Sequence, residues 1–261
     1  VHEHLASLAD PSGLELSHRL GYFIEDSYAR VIFDQSLPPV PLETPALVIR
    51  TNHVQLPSKA QLESKHLFDQ LPPEKIFGRA FYDFIAAMAR HICFSDSNRL
   101  ALLVVDEAYR FTHSPEASRE LEVFVRDGRK HKAALLIASQ DPLADFGSDT
   151  MRRMIPVRAL FRTVDADAAR SGAKWIGLDS EDQDVIELVT TELSPKDPAT
   201  EEVPEHRRGE ALFRDAYGTI GKTKMLMPSN PKRARAAMAS PGRNSDAAAR
   251  AAQARDELVS V

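Results

Sequence analysis

Apolar positions along the chain fall into two kinds of run. In FGRAFYDFIAAMARHICF (77–94), Phe77, Phe81, Phe84, Ile85, Met88 and Ile92 recur at helical spacing, which predicts a long helix with one buried face. RLALLVVD (99–106), AALLIAS (133–139) and VRALFRT (157–163) are instead short apolar runs, the pattern of strands covered on both faces. Between the first two, Ser114-Pro115-Glu116 starts a helix, with proline at the first helical position and an acid by the positive helix end. That helix turns Leu121, Phe124 and Val125 inward and ends near RDGRKHK. A helix from Asp165 containing Trp175 follows the third run, and another near Ser180 buries Val185, Ile186 and Val189. Alternating strands and helices with short links predict βαβ units: an α/β fold, mostly parallel, with helices on both sheet faces.

The flanks are less regular. Residues 1–34 read as helical around Leu14, Leu16, Leu20, Phe23 and Ile24, and LPPVPLETP (37–45) as an extended loop. ALVIRTNHV (46–54) is a strand candidate, and SKAQLESKHLFDQL (58–71) a helix capped by Ser58. SPKDPATEEVPEHRRG (194–209) reads as a loop. Beyond Pro228 the chain is rich in Ala, Arg, Pro and Ser and too poor in large apolar groups to offset its ordering entropy, so a mobile tail is expected. The expected organisation is an N-terminal helical and linker segment at 1–45, an α/β core at 46–228 and a disordered tail at 229–261.

Composition narrows the function classes. The 261 residues are 43% hydrophobic and 27% charged, an ordinary globular balance, and no apolar run approaches the ~20 residues that span a bilayer. One cysteine, Cys93, excludes an internal disulfide or multi-cysteine metal site and suits the cytoplasm. A net charge of −5 gives no general electrostatic footprint for nucleic acid. The nine histidines form no ligand set at metal spacing, and Cys93 reads as a small core residue. The chain begins with Val1 rather than Met, which suggests a fragment of something longer.

Candidate chemistry sits at the strand ends. ALLVVDEAYRF (101–111) delivers Asp106 and Glu107 at a carboxyl end, the edge where open α/β sheets bind ligands. In a nucleotide hydrolase, Asp106 would hold Mg²⁺ through its water shell and Glu107 would polarise the attacking water. Gln140 follows the next strand, in LLIASQDP, where an amide can sense a γ-phosphate or orient water. Arg126, Arg129 and Lys130 end the intervening helix. They suit either the helix dipole or a transferring phosphoryl group, often that of a neighbouring subunit.

LLVVDEAYRF, FVRDGRKHKAALLIASQDP and RRGEALFRDAYGTIGKTKML, in that order, resemble the RecA-like P-loop ATPases of the HerA/FtsK group, within it those that energise conjugative transfer and type IV secretion. The resemblance covers about 97–228 well and the first ninety-odd residues loosely. It implies a RecA-like core in a hexameric motor using ATP and Mg²⁺, on the cytoplasmic side of the membrane and peripheral to it. Secretion-channel components and a DNA or nucleoprotein substrate are the implied partners. By motif, Asp106 and Glu107 become the Walker-B pair, Gln140 the sensor, and Arg126, Arg129 and Lys130 the trans-acting basic group. Arg158 and Arg162 are further candidates for nucleotide contact.

One motif points the other way. AYGTIGKT (216–223) fits [AG]-x-x-x-x-G-K-[ST], but a phosphate loop must open a helix, and TKMLMPSNP is too short and is stopped by Pro228. EALFRD and TIGKTKMLM around a turn at 215–218 read as a β-hairpin. No other stretch matches, so the phosphate cradle is missing. The chain is then either the C-terminal part of a longer ATPase or a degenerate, non-catalytic module kept for assembly. A HerA-type DNA translocase or helicase is a third reading.

Overall fold

The computed structural model describes residues 4, 7, 10–24, 27–34, 36–226, 228–230 and 232–233. Apart from a few positions, the tail expected beyond Pro228 lies outside them. The chain divides into two compact units, Val1–Pro156 and Val157–Val261.

In the first unit, helix α1 (Pro11–Ile24) and a short α2 (Arg30–Phe33) precede the proline-rich loop. The expected strand at 46–54 does not form. Among the described residues it pairs with no strand and stays mostly exposed, and just past its end the Gln55 backbone closes on the long helix. A Cβ on Gly78 would stand 1.9 Å from the Gln55 carbonyl oxygen, so only glycine permits that approach. The expected helix at 58–71 is broken into α3 (Lys59–Glu63) and α4 (Lys65–Phe68). Ser58 forms a capping box with Gln61, and Ser64 then caps the second helix, because a serine hydroxyl competes well for free amides at a helix start.

Helix α5 (Pro73–Phe94) is the predicted long helix. Phe77 packs on Phe23, Tyr28 and Phe81, whereas Phe84, expected inward, is 51% exposed. The deeply buried positions are Gly78, Tyr82, Ile85 and Ala86, so the inward face is rotated from the phenylalanine stripe. Strands β1 (Ala101–Val105) and β2 (Ala133–Ile137) pair in parallel, in register from Ala101–Ala133 to Val105–Ile137. Between them lie the single turn α6 (Tyr109–Thr112) and helix α7 (Pro115–Asp127). One sheet face carries the core: Val105, Leu121 and Met151 are buried, with Leu103, Phe111, Val125, Leu135 and Ile137 packed against them. The other face corrects the expectation of two-sided cover, for Leu102 is 56%, Val104 59% and Leu136 51% exposed. Short helices α8 (Pro142–Asp145) and α9 (Asp149–Arg153) complete the unit.

The second unit departs from the parallel expectation. Strand β3 (Arg158–Phe161) pairs antiparallel with β4 (Glu210–Arg214), and β4 pairs antiparallel with β5 (Ile220–Lys224). An apolar run shows that a strand forms but not which partner it takes, and that choice lies about fifty residues away. Helix α10 (Ala166–Ile176) is capped by Asp165, whose side chain accepts from the Ala168 amide, and ends at Gly177 in the left-handed region. Helix α11 (Gln183–Glu187), capped by Asp182, runs into a π-turn at Leu188–Glu192 and buries Ile186, Val189 and Leu193 nearby.

Candidate functional site

The strand ladder delivers two loops to one edge. The Ala138 amide donates to the Val105 carbonyl at 2.9 Å, and the Ala108 amide donates to the Ala138 carbonyl at 2.9 Å. The turn carrying Asp106 and Glu107 and the segment carrying Gln140 are therefore stitched together where both parallel strands end. Asp106 is exposed, with Oδ1 accepting the Glu107 amide at 3.1 Å. Gln140 is exposed two residues past Ala138.

Glu107 is held more tightly. Its φ of 55° lies in the left-handed region, uncommon for a residue with a long side chain. Its Oε2 accepts from Arg110 Nε at 2.6 Å and from the Tyr109 hydroxyl at 3.3 Å. The Arg110 guanidinium beside it holds the carboxyl below the usual glutamate range. Arg110 in turn is held charged by Glu107 and by the Tyr82 hydroxyl, and lies 5.4 Å from the Tyr109 ring centroid. Both partners come from α6, one turn after the strand. The sequence reading did not single them out, although Glu107 and Arg110 stand at the i, i+3 spacing that pairs charges on a helix.

The basic residues are elsewhere. Arg126, Arg129 and Lys130 sit at the end of α7 and in the 3₁₀ turn Gly128–His131 leading into β2. The Lys132 carbonyl there accepts from the Ala101 amide, which marks the amino-terminal edge of the strands. Five residues of strand, about 16 Å, separate that edge from the carboxylates. Arg126 and Arg129 are exposed, and Lys130 pairs with Asp127 at 2.7 Å. The structure thus does not bring this group to the Asp106–Glu107 edge of its own sheet.

Arg158 and Arg162 belong to the second unit. Arg158 donates to the Trp175 carbonyl and lies over the Trp175 ring, 5.3 Å from its centroid. Burial, reinforced by the nearby Arg214 charge, pushes its pKa down. Arg162 donates to the carbonyls of Thr190 at 3.0 Å and Ser194 at 3.3 Å. Both guanidiniums are engaged in fastening β3 to the helical segments that follow it.

Residues 216–223 form no phosphate loop. Asp215 accepts the Tyr217 and Thr219 amides, Gly218 has φ 91°, and the chain returns as β5. Lys222 lies opposite Leu212 in the ladder, with Nζ 3.4 Å from Glu210. No helix starts there, so neither loop amides nor a positive helix end can surround phosphates. Glu210 is mostly buried and accepts from Arg207 and from the Ser194 amide. The Arg207 contact is the main reason its pKa falls to about 2.

Mg²⁺ keeps most of its waters and needs only one or two carboxylates, which the exposed Asp106 fits. Among the described residues no group of three or more His, Cys, Asp or Glu side chains could hold a metal ion, and no helix is long and apolar enough to cross a membrane. No curated protein matches the chain. A family model described as an AAA-like domain, that of FtsK-type ATPases, matches residues 1–232, and the chain belongs to this family.

Proposed function

We propose that the chain is the Walker-B half of an ATP-hydrolysing motor that drives conjugative DNA transfer or type IV secretion. The observation that carries this is the convergence of Asp106, Glu107 and Gln140 on the carboxyl edge of two parallel strands, joined through Ala138. Magnesium-bound ATP would supply the electrophilic γ-phosphoryl group. Asp106 would bind the metal's water shell. Glu107, ionised and fixed in position, would orient and polarise the attacking water, and Gln140 would hold the same water or sense the γ-phosphate. Arg126, Arg129 and Lys130, on the far edge, suit a role toward the nucleotide of a neighbouring subunit in a ring. Arg158 and Arg162 keep only a lesser claim to such a role, since both already bind carbonyls.

The phosphate cradle is then contributed by polypeptide other than 216–223. The uncovered face of β1–β2 supports this, since parallel strands are normally buried on both sides and Leu102, Val104 and Leu136 are not. A second reading, a non-catalytic assembly module, is favoured by the hairpin at 216–223. The two differ in one measurement. Under the motor reading, Glu107→Gln retains radiolabelled ATP in the presence of Mg²⁺ but loses turnover, by 100-fold or more on the order expected for a general base. Both forms are measured with the cradle-bearing polypeptide present; no ATP binding by the wild-type protein there would establish the module reading, and full turnover in Glu107→Gln would remove the base role.

A further inference from the structure

We propose that Arg110 is a positioning residue for Glu107, anchoring one carboxylate oxygen so that the other is presented to the water. The inference rests on the motor reading above for the role of Glu107, but the arrangement itself stands on geometry. Two donors, Arg110 Nε at 2.6 Å and the Tyr109 hydroxyl at 3.3 Å, converge on the same oxygen, Oε2. Oε1 takes part in neither bond. A carboxylate fixed in this way cannot rotate its free oxygen away without breaking a charge-assisted hydrogen bond.

Arg110 is itself held. Its guanidinium rests over the Tyr109 ring, 5.4 Å from the centroid, and Tyr82 lies close enough to help keep it charged. Tyr82 is fully buried on α5, and its hydroxyl donates to Thr51 Oγ1 at 2.7 Å. Tyr82 also packs edge-on against Phe111, the next residue after Arg110, with ring centroids 5.0 Å apart, so α6 is seated on the core of α5. The backbone of Glu107 needs such a restraint. A long side chain at φ 55° sits in a sparsely populated region that surrounding contacts must maintain. The arrangement follows the general logic of an oriented base, in which a third group fixes the base that contacts the reactant.

Arginine suits this position better than lysine. Nε and the terminal nitrogens lie in one rigid plane, so a single guanidinium can address Oε2 while lying over the Tyr109 ring. A lysine ammonium keeps the charge but not this fixed geometry.

The test uses Arg110→Ala and Arg110→Lys in the whole protein. Misplacing a reacting group by about 1 Å costs on the order of 100-fold, so kcat for ATP should fall roughly 10- to 100-fold in Arg110→Ala with KM within about twofold, and Arg110→Lys should recover part of the loss. A second readout needs no turnover. The side-chain carboxyl ¹³C resonance of Glu107, assigned by its disappearance in Glu107→Gln, should move in nucleotide-free Arg110→Ala and stay in place in Arg119→Ala. An unmoved resonance, or a moved resonance with unchanged kcat, overturns the proposal. A moved resonance in a protein whose Glu107→Gln form still turns over instead overturns the base role, leaving Arg110 as a structural partner only.

Discussion

The two sheets reverse what their sequences advertise. ALLVV, wholly apolar, forms a strand with one face exposed, while EALFR, flanked by an acid and an arginine, forms the central strand of β3–β4–β5 and buries Glu210, Ala211 and Leu212 together. Hydrophobicity measures what a strand can bury, but position in the sheet decides what it does bury. In the antiparallel sheet, the acid is accommodated because Arg207, Ser194 and Lys222 surround Glu210. Among the described residues, the apolar surplus of the parallel pair is left about half exposed at Leu102, Val104 and Leu136, and the candidate chemistry gathers at the open end.

The widest test of this contrast uses adjacent valines on β1. Val105 is 2% exposed and Val104 is 59% exposed. Val105→Ala should cost about 2 kcal/mol by chemical denaturation, from two buried methyl-sized groups and a small cavity, against less than about 1 kcal/mol for Val104→Ala. Equal losses would mean that the outer face is covered in solution.

A smaller effect concerns how α7 is started. Ser114 stands at the N-cap, but its side chain makes no capping bond; Asp83 on α5 accepts the Ala117 amide at 3.1 Å and the Ser114 hydroxyl. Asp83→Ala should cost about 1–2 kcal/mol, more than Ser114→Ala, because it leaves the Ala117 helix amide unpaired and the buried Ser114 hydroxyl with only its 3.1 Å contact to Glu116. A larger loss in Ser114→Ala would return the start of the helix to local capping.

A third test belongs to the second sheet and acid pH. Glu210 has a folded pKa near 2, depressed from the ordinary 4.5, so its stabilisation is fully present above about 4.5 and is lost as pH falls toward 2. Glu210→Gln should flatten the pH dependence of unfolding for the 157–261 unit across that window, while leaving acid sensitivity elsewhere unchanged. An unaltered slope would show that Arg207 and Lys222 do not hold this carboxylate.

Much of the site was legible because its parts are local. Asp106 and Glu107 end an apolar strand, Gln140 follows the next, and the structure brings both ends to one edge. Arg110 was equally close in sequence but was not seen, because a salt bridge three residues along competes with many harmless surface pairs. The turn 215–219 was legible too: an acid with two amides within reach, then glycine at positive φ, leaves no helix for Lys222 to begin.

The sequence by itself determined the long helix, the strands β1 to β5, the Ser58 cap, the helix start at Asp165, and that acids and an amide stand at strand ends, since each depends on neighbours a few positions away. Tertiary structure alone decided that β3 joins β4 rather than a parallel neighbour, that 46–54 stays unpaired while the Gln55 backbone lies against Gly78, and that the basic turn at 126–130 faces the opposite edge from the carboxylates. Those outcomes depend on contacts between segments far apart in the chain, where burial and hydrogen-bond satisfaction are shared among elements and no short window carries the answer.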